Sequence, residues 1–574
     1  MAMHAPLVIV KLPVWRRRVL LVMVLLGFAA LLGRGAYLQV FHKRFLQEKG
    51  DARYSRTLTL PAHRGRIVDR HGELLADSAP VESVWANPSD VKISTTQTKK
   101  LAELLGIKNE VVDKKLANSE REFVYLKRRV SPGLAAEVMQ LEIPGVYLKR
   151  EYKRQYPAGE VTAHLVGFTD IDDKGQEGFE LTMNDSLSGK SGSRRVIRDR
   201  ANHIIDDLEA VKVPQDGHDV MLSIDYRIQY LAYRELVKAV EKFKAKAGAA
   251  IVLDAKTGEV LAMANVPTYN PNNPVNIQGK SRNRAITDVF EPGSTMKTVT
   301  AAAALESGQY QSDTKIQTAP GYMKIGPATI HDAHPHGVLT VAEVIQKSSN
   351  VGAVKMALSL DRQYMWGVFN QIGFGTKTRI GFPGEASGRL RDYKTWRPIE
   401  QATMSYGHGI SVTLLQLARA YTVFANDGEL KPVSLLKLKD APVGTQVFTA
   451  KTAHDVKDML ELVVLPGGTA LKAQVLGYRV AGKTGTTHKL GDHGYEKDKY
   501  VGSFVGMAPA SDPRLIMAVM IDDPSSGEYY GGTVAAPVFS AVMADALRML
   551  AIPQDAPNNN VVITADGEEV KESI

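Results

Sequence analysis

Residues 19–33, V-L-L-V-M-V-L-L-G-F-A-A-L-L-G, run without a single charge, and no later stretch repeats this at membrane-spanning length. A helix of that run is about 22 Å long, short of a hydrocarbon core near 30 Å; continued to Phe41 it reaches about 34 Å with Arg34 inside. The pattern predicts one spanning helix, Val19–Phe41. A cleaved signal peptide needs a small-residue site just beyond the apolar run, and Arg34-Gly35-Ala36-Tyr37 is a poor one, so an uncleaved signal-anchor is expected. Arg16–Arg18 place residues 1–18 in the cytoplasm by the positive-inside rule, although Lys43 and Arg44 weaken the asymmetry. Arg34 is expected to snorkel to the interface, with a polar contact to a partner helix as the alternative. More than 500 residues then lie on the far side of the membrane as soluble domains.

The same segment explains the charge. Residues 1–50 hold eight basic residues and one acidic, a net +7 of the chain's formal +9, so the other 524 residues carry +2. A pI of 9.2 therefore reflects insertion and orientation in a membrane, and nucleic acid is not an expected partner. With 44% hydrophobic and 23% charged residues the chain is globular in composition, and its length allows about three or four domains. The absence of cysteine excludes disulfides, thiolate metal sites and a cysteine nucleophile.

Residues 42–218 are charged and turn-rich, with strand-like runs at Arg53–Pro61 and Glu82–Trp85 and amphipathic helical stretches at Thr96–Leu105 and Pro132–Gln140. No nucleophile is grouped with a base there. Val211–Gly217 is a turn-rich join, and a domain boundary is expected at 219. Beyond it, helices are expected at Tyr226–Phe243, Lys297–Glu306, Thr413–Ala425 and Pro537–Leu550. Paired strands are expected at Ala249–Leu253 and Val260–Ala264, and further strands at Val480–Gly485, Val501–Met507 and Leu515–Ile521. This α/β or α+β domain, 219–552, should carry the chemistry, with 553–574 a flexible tail.

Three short elements fall in it: Ser294-Thr-Met-Lys297, Ser348-Ser-Asn350 and Lys483-Thr-Gly-Thr486. Each has a decoy, at Ser434–Lys437, Ser281–Asn283 and Lys256–Gly258. Context separates them. Ser294 follows Pro-Gly and opens a helix, which puts Lys297 on the same face. Ser434 and Lys437 alternate with apolar residues as in a strand, on opposite faces. Lys256 lies in a turn between two strands, whereas Lys483-Thr-Gly485 ends a strand of small residues that a substrate backbone can approach.

The set suits nucleophilic acyl transfer. A serine hydroxyl needs an adjacent base, and Lys297 serves only if desolvation and a second cation, Lys483, keep it neutral. Backbone N–H groups of Ser294 and Thr486 would face a developing oxyanion. Ser348 would relay a proton to the leaving amine, and the Asn350 amide would hold the substrate backbone. Lys483 with Thr484 and Thr486 would make a cationic, hydroxyl-rich pocket for a carboxylate, with Gly485 leaving room for the substrate.

Serine with lysine three residues on, then serine–asparagine, then K-T-G is the combination found in penicillin-binding proteins and class A β-lactamases. The chain resembles a class B penicillin-binding protein from the anchor to about residue 550. Further matching segments, in order, are R-G-R-I-V-D-R-H-G-E-L-L-A (Arg64–Ala76), R-Q-Y-P-A-G-E-V-T-A-H-L-V-G-F (Arg154–Phe168), E-G-F-E (Glu177–Glu180), F-E-P-G-S-T-M-K (Phe290–Lys297), Y-G-H-G-I-S-V-T (Tyr406–Thr413) and Y-Y-G-G-T-V-A-A-P-V-F (Tyr529–Phe539). Trp85–Pro88 and the run from Tyr156 to Gly178 look like the division-specific, penicillin-binding protein 3 type. The resemblance implies a membrane anchor, a non-catalytic pedestal over 42–218 and a transpeptidase domain with a central antiparallel sheet. It implies a D,D-transpeptidase cross-linking peptidoglycan stem peptides at the septum, acylated by β-lactams. It further implies a single-pass location in the inner membrane with the bulk periplasmic, and contacts to a lipid II polymerase and other divisome membrane proteins.

Rival readings are an elongation-type enzyme, a D,D-carboxypeptidase or β-lactamase, and a non-enzymatic β-lactam sensor. Against the β-lactamase stands the lack of an E-x-x-L-N element between Ser348 and Lys483. No cofactor is expected. His331, His334 and His336 cluster, but their spacing matches no zinc pattern, so no metal is expected either.

Overall fold

The computed structural model describes residues 13–45, 55–198, 204–491 and 494–562. They fall into two compact units: one from the described parts of Met1–Ala62, Ser83–Lys149 and Lys190–Gln215, the other from His63–Glu82, Arg150–Gly189 and the described part of Asp216–Ile574.

In the first unit the N-terminal helix runs Val14–Ala36, with Tyr37–Phe41 continuing at the wider π spacing. It begins five residues before the expected start, with Pro13 as its N-cap, and takes in Arg16–Arg18. Its leucines and valines are exposed all round, and among the described residues it is the one helix long and apolar enough to cross a membrane. The helix Thr95–Leu105 starts at a Ser94–Gln97 capping box and stops at Gly106 in the left-handed conformation. The helix Pro132–Met139 is capped by Ser131. Both bury their apolar stripes in a small core with Val84, Leu126 and Val146. The strands Ser55–Leu60, Gly192–Arg198 and Ile204–Lys212 form an antiparallel sheet; Arg53 and Tyr54 of the expected first strand lie outside the described residues.

The second unit is built on a five-stranded antiparallel sheet of β1 (Ala247–Asp254), β2 (Val260–Val266), β5 (Ala481–Gly491), β6 (Gly494–Ala508) and β7 (Leu515–Asp522), in the order β2-β1-β7-β6-β5. β1 and β7 are buried along nearly their whole length, which fits a sheet covered on both faces, with α1 (Tyr226–Lys242) and α5 (Ala536–Met549) among its covering helices. The helix α2 (Met296–Glu306) is buried on every side down to Leu305, so its run of alanines is a packing device. β5 continues six residues past the expected end at Gly485, because Thr487 and His488 still pair with Val501 and Tyr500.

The expected helix Thr413–Ala425 is interrupted. It runs Leu414–Ala420, turns at Tyr421 and resumes as Thr422–Ala425. The Thr422 hydroxyl donates to the Arg419 carbonyl at 2.7 Å and accepts the Lys431 N–H at 3.0 Å, the local back-bonding that bends helices. Of the expected tail, 553–562 are described: Asn560 Nδ2 donates to the carbonyls of Val475 and Tyr478, and Asp555 accepts the Arg479 N–H. Residues 563–574 lie outside the described residues.

Arg64, Arg154 and Glu180, from three of the matching segments, meet inside this unit. Glu180 Oε2 accepts Arg64 Nε at 2.7 Å and Oε1 accepts Arg154 Nε at 2.6 Å, with all three side chains at most 1% exposed. Further guanidinium N–H groups donate to oxygens of Asp173, Asn184, Ser188 and Glu180 on one side and of Arg64, Gly65 and Ser78 on the other. This buried network ties 63–82 to 150–189, and bonds such as Tyr269 Oη to the Ala163 carbonyl and Gln229 Nε2 to the Val161 carbonyl join them to the unit that holds the sheet, where the sequence reading draws a single cut at 219.

Candidate active site

The three motifs converge. Ser294 lies in a single 3₁₀ turn, Gly293–Thr295, and α2 begins only at Met296. In a 3₁₀ turn residues three apart eclipse, and Lys297 Nζ stands 3.0 Å from Ser294 Oγ. The turn is pinned: Thr295 Oγ1 donates to the Pro292 carbonyl at 2.8 Å, and the Tyr421 hydroxyl donates to the Thr295 carbonyl at 3.2 Å. Gly293 sits at φ +58°, and Gly407, at φ +88°, passes so close that a Cβ there would lie 2.3 Å from the Gly293 oxygen. Glycine in Y-G-H-G is a matter of space and of handedness.

Ser348 joins the two lysines. Its Oγ is 3.1 Å from Lys297 Nζ and 3.0 Å from Lys483 Nζ, and its carbonyl accepts from Lys297 at 2.5 Å. Both lysines are 0% exposed, Ser294 3% and Ser348 1%. Burying two ammonium-bearing chains around shared hydroxyls is costly unless they are held by such contacts or stay neutral, and this separates the site from an ordinary surface cluster. Lys483 also reaches Thr484 Oγ1 at 3.3 Å, and Thr484 and Thr469 share a hydrogen bond of 2.8 Å. Thr486 Oγ1 accepts the Gly531 N–H at 3.0 Å. Gly485 leaves no room for a side chain: a Cβ would lie 2.6 Å from Ser503 Oγ and 2.7 Å from the Pro292 oxygen, so it seats β5 against the turn carrying Ser294. Asn350, the first residue of a helix, donates from Nδ2 to the His331 carbonyl at 3.0 Å.

The decoys stay apart. Lys256 pairs with exposed Asp512 at 2.6 Å, Lys437 donates to the Arg70 carbonyl, and Asn283 accepts from Asn265. What His331 brings to the site is its backbone carbonyl. Several neighbours escape a reading from motifs. The Glu291 carboxyl accepts the Gly409 N–H at 2.7 Å and the Tyr495 hydroxyl at 2.9 Å, and its burial pushes it above the usual carboxylate range against those two donors. His408 is pushed down to about 4, above all by burial, so it is neutral at pH 7. Glu291 stands three residues before the serine, and that adjacency is the signal that could have drawn attention to it.

The penicillin binding protein transpeptidase domain model matches residues 248–544, and the penicillin-binding protein dimerisation domain model matches 59–222. The chain belongs to the class B penicillin-binding proteins. Among class B penicillin-binding proteins it is 46% identical over 535 residues to the probable peptidoglycan D,D-transpeptidase PenA of Neisseria gonorrhoeae, covering 92% of each chain. It is 43% identical to the peptidoglycan D,D-transpeptidase FtsI of Escherichia coli K12, covering 94% of this chain and 93% of that one. The solved transpeptidase domain of Burkholderia pseudomallei penicillin-binding protein 3 is 50% identical, with a TM-score of 0.55, and covers 58% of this chain and 98% of that structure.

Proposed function

We propose that this class B penicillin-binding protein is a peptidoglycan D,D-transpeptidase of the septal type, and that Ser294 is its nucleophile. The observation that carries the assignment is the chain Ser294 Oγ, Lys297 Nζ, Ser348 Oγ, Lys483 Nζ, each step 3.0–3.1 Å and all of it buried. Neutral Lys297 takes the Ser294 proton as Oγ bonds to the carbonyl carbon of a D-Ala-D-Ala amide. The backbone N–H groups of Ser294 and Thr486 face the oxyanion. As the C–N bond breaks, the proton passes through Ser348 to the leaving D-Ala amine. An amine of a neighbouring stem peptide then attacks the ester, the Ser294 C–O bond breaks, and the proton returns to Oγ. Lys483, Thr484 and Thr486 hold the donor's carboxylate, and Asn350 holds its backbone. Among the described residues β5 is the last strand of its sheet, with β6 as its neighbour, so an extended stem peptide adds to the sheet as a further strand.

β-Lactams acylate the same serine. The N-terminal helix acts as a single-pass inner-membrane anchor, with the pedestal (42–218) and transpeptidase domain (219–552) periplasmic. A lipid II polymerase and other divisome membrane proteins are its partners. Fluorescent penicillin should label the detergent-solubilised chain, and Ser294→Ala should abolish the label; labelling that survives overturns the nucleophile. Donor peptide mixed with an acceptor amine should give a product with the mass of the cross-link. Hydrolysed acid alone, with the polymerase present, refutes the transferase.

A further inference from the structure

We propose that Asp332 is a positioning residue for acylation: its carboxylate fixes the Ser348–Ser349–Asn350 turn and so sets where Ser348 Oγ and the Asn350 amide lie. The proposal rests on the roles given above to Ser348 and Asn350. Three connected observations lead to it. First, Ser348 stands at φ 58°, ψ 38°, a left-handed conformation that residues with a Cβ adopt only where the surroundings impose it. It is the single residue at which α3 (Val341–Lys347) stops, with Ser349 capping α4 (Asn350–Ser359) immediately after. The direction in which α4 leaves therefore decides the direction of the Ser348 side chain.

Second, the start of α4 is clamped from the strand hairpin β3 (Tyr322–Ile325) and β4 (Ala328–His331). Directly after β4, Asp332 Oδ2 accepts the Ser349 hydroxyl at 2.7 Å and Oδ1 accepts the Val351 N–H at 2.9 Å. Ser349 Oγ in turn accepts the Gly352 N–H at 3.0 Å, so one carboxylate orients the cap and relieves a helix-start donor together. The preceding His331 carbonyl accepts Asn350 Nδ2, which means that two consecutive residues of the strand end hold three consecutive residues of the helix start.

Third, the same strand grips α4 further along: Ile330 is buried with Val354, Ala402 and Tyr406. The Asp332 N–H donates to the Gly321 carbonyl at 2.8 Å, which ties the carboxylate's own backbone across the hairpin. Asp332 touches neither Ser294 nor either lysine through any of these bonds. It acts through the turn, and alanine at 332 removes both acceptors at once, whereas asparagine could accept from Val351 and donate to Ser349 Oγ, a hydroxyl that accepts as well.

The test is stopped-flow acylation of the full-length chain in detergent by fluorescent penicillin, separating the limiting rate at saturation from the half-saturating concentration. Asp332→Ala is expected to lower the limiting rate about 10- to 100-fold, the scale for small misplacements of reacting groups. Ser349→Ala, which removes one of the same bonds together with the Gly352 cap, should lower it less, and the double variant should be slowed by less than the product of the two single effects. A limiting rate unchanged in Asp332→Ala, or independent multiplication of the two effects, overturns the proposal. If Asp332→Ala does not fold, Ser349→Ala decides: a slower limiting rate at constant half-saturation supports the clamp, and a wild-type rate refutes it. A wild-type chain that is not labelled at Ser294 brings down the acyl-transfer reading itself. A labelled wild type beside an unimpaired Asp332→Ala removes Asp332 alone.

Discussion

Replacing Glu180 by glutamine keeps the side chain's size and takes one charge from a buried cluster of three. Each carboxylate oxygen meets a guanidinium Nε, at 2.7 and 2.6 Å, with no more than 1% exposure at any of the three side chains. With charge centres some 4 Å apart and an effective dielectric near 20, each attraction is worth about 4 kcal/mol before desolvation. In the native protein that gain is offset by the cost of burying three ions and by the repulsion of two neighbouring cations. The variant keeps the two buried guanidiniums and loses both attractions, and its amide nitrogen, a donor, must face one of the two Nε–H donors. The expected loss is about 3–5 kcal/mol, the range for breaking a buried pair. Urea unfolding of the full chain, followed by tryptophan fluorescence, should show the midpoint falling by at least about 1 M at constant slope. Replacing all three residues by apolar ones of similar volume should recover most of the loss, because it removes the stranded charges as well. A midpoint shift equivalent to less than about 1 kcal/mol for Glu180→Gln would show the cluster to be solvated and the reasoning wrong.

Three further outcomes follow from the geometry. His164 is held down to about 4 by burial, against 6.5 when exposed, so between those values the unfolded chain binds the proton and the folded one does not. Its stabilising contribution is complete above pH 6.5 and falls by on the order of 3 kcal/mol as pH drops to 4, and His164→Asn should flatten this part of the stability curve; an unchanged curve would refute it. Gly407→Ala should push the Gly293–Thr295 turn out of place and slow acylation at least about tenfold, measured by penicillin labelling, whereas a wild-type rate would show that the loop yields freely. Lys256→Ala, at the decoy K-T-G, should leave acylation unchanged and stability within about 0.5 kcal/mol, since among the described residues its ammonium pairs with exposed Asp512 and distantly with a carbonyl; loss of labelling would move the second cation from Lys483 to this turn.

The contact between Ser294 and Lys297 was legible because it is local. A lysine three residues after a serine that opens a helix is a spacing that the helix start converts directly into contact, and Lys297 Nζ stands 3.0 Å from Ser294 Oγ. The strands of the sheet were legible for the same reason: β1, β2 and β7 hold the apolar runs 249–253, 260–264 and 515–521. What periodicity does not carry is partnership across distance. Arg64 and Glu180 stand 116 residues apart, and nothing in a charged, turn-rich segment says which arginine will be buried on which carboxylate. The left-handed Ser348 was hidden too, since its conformation goes with the hairpin that holds α4. At Tyr421 the apolar pattern is that of one helix, and hydroxyl bonding by Thr422 breaks it.

The strand order also has a bearing on biosynthesis. β7, among the last strands to leave the ribosome, lies in the middle of the sheet, between β1, some 270 residues earlier, and β6. Until it is made, the β1–β2 hairpin has no neighbour on its inner side, and the K-T-G strand has no sheet to join. Closing so long a loop is slow, and a waiting apolar edge invites mispairing, so this half of the chain depends on protection while it is being made. A chain stalled or cut before Leu515 would therefore have no weakened active site; it would hold a serine and a lysine with nothing to bring the third motif to them.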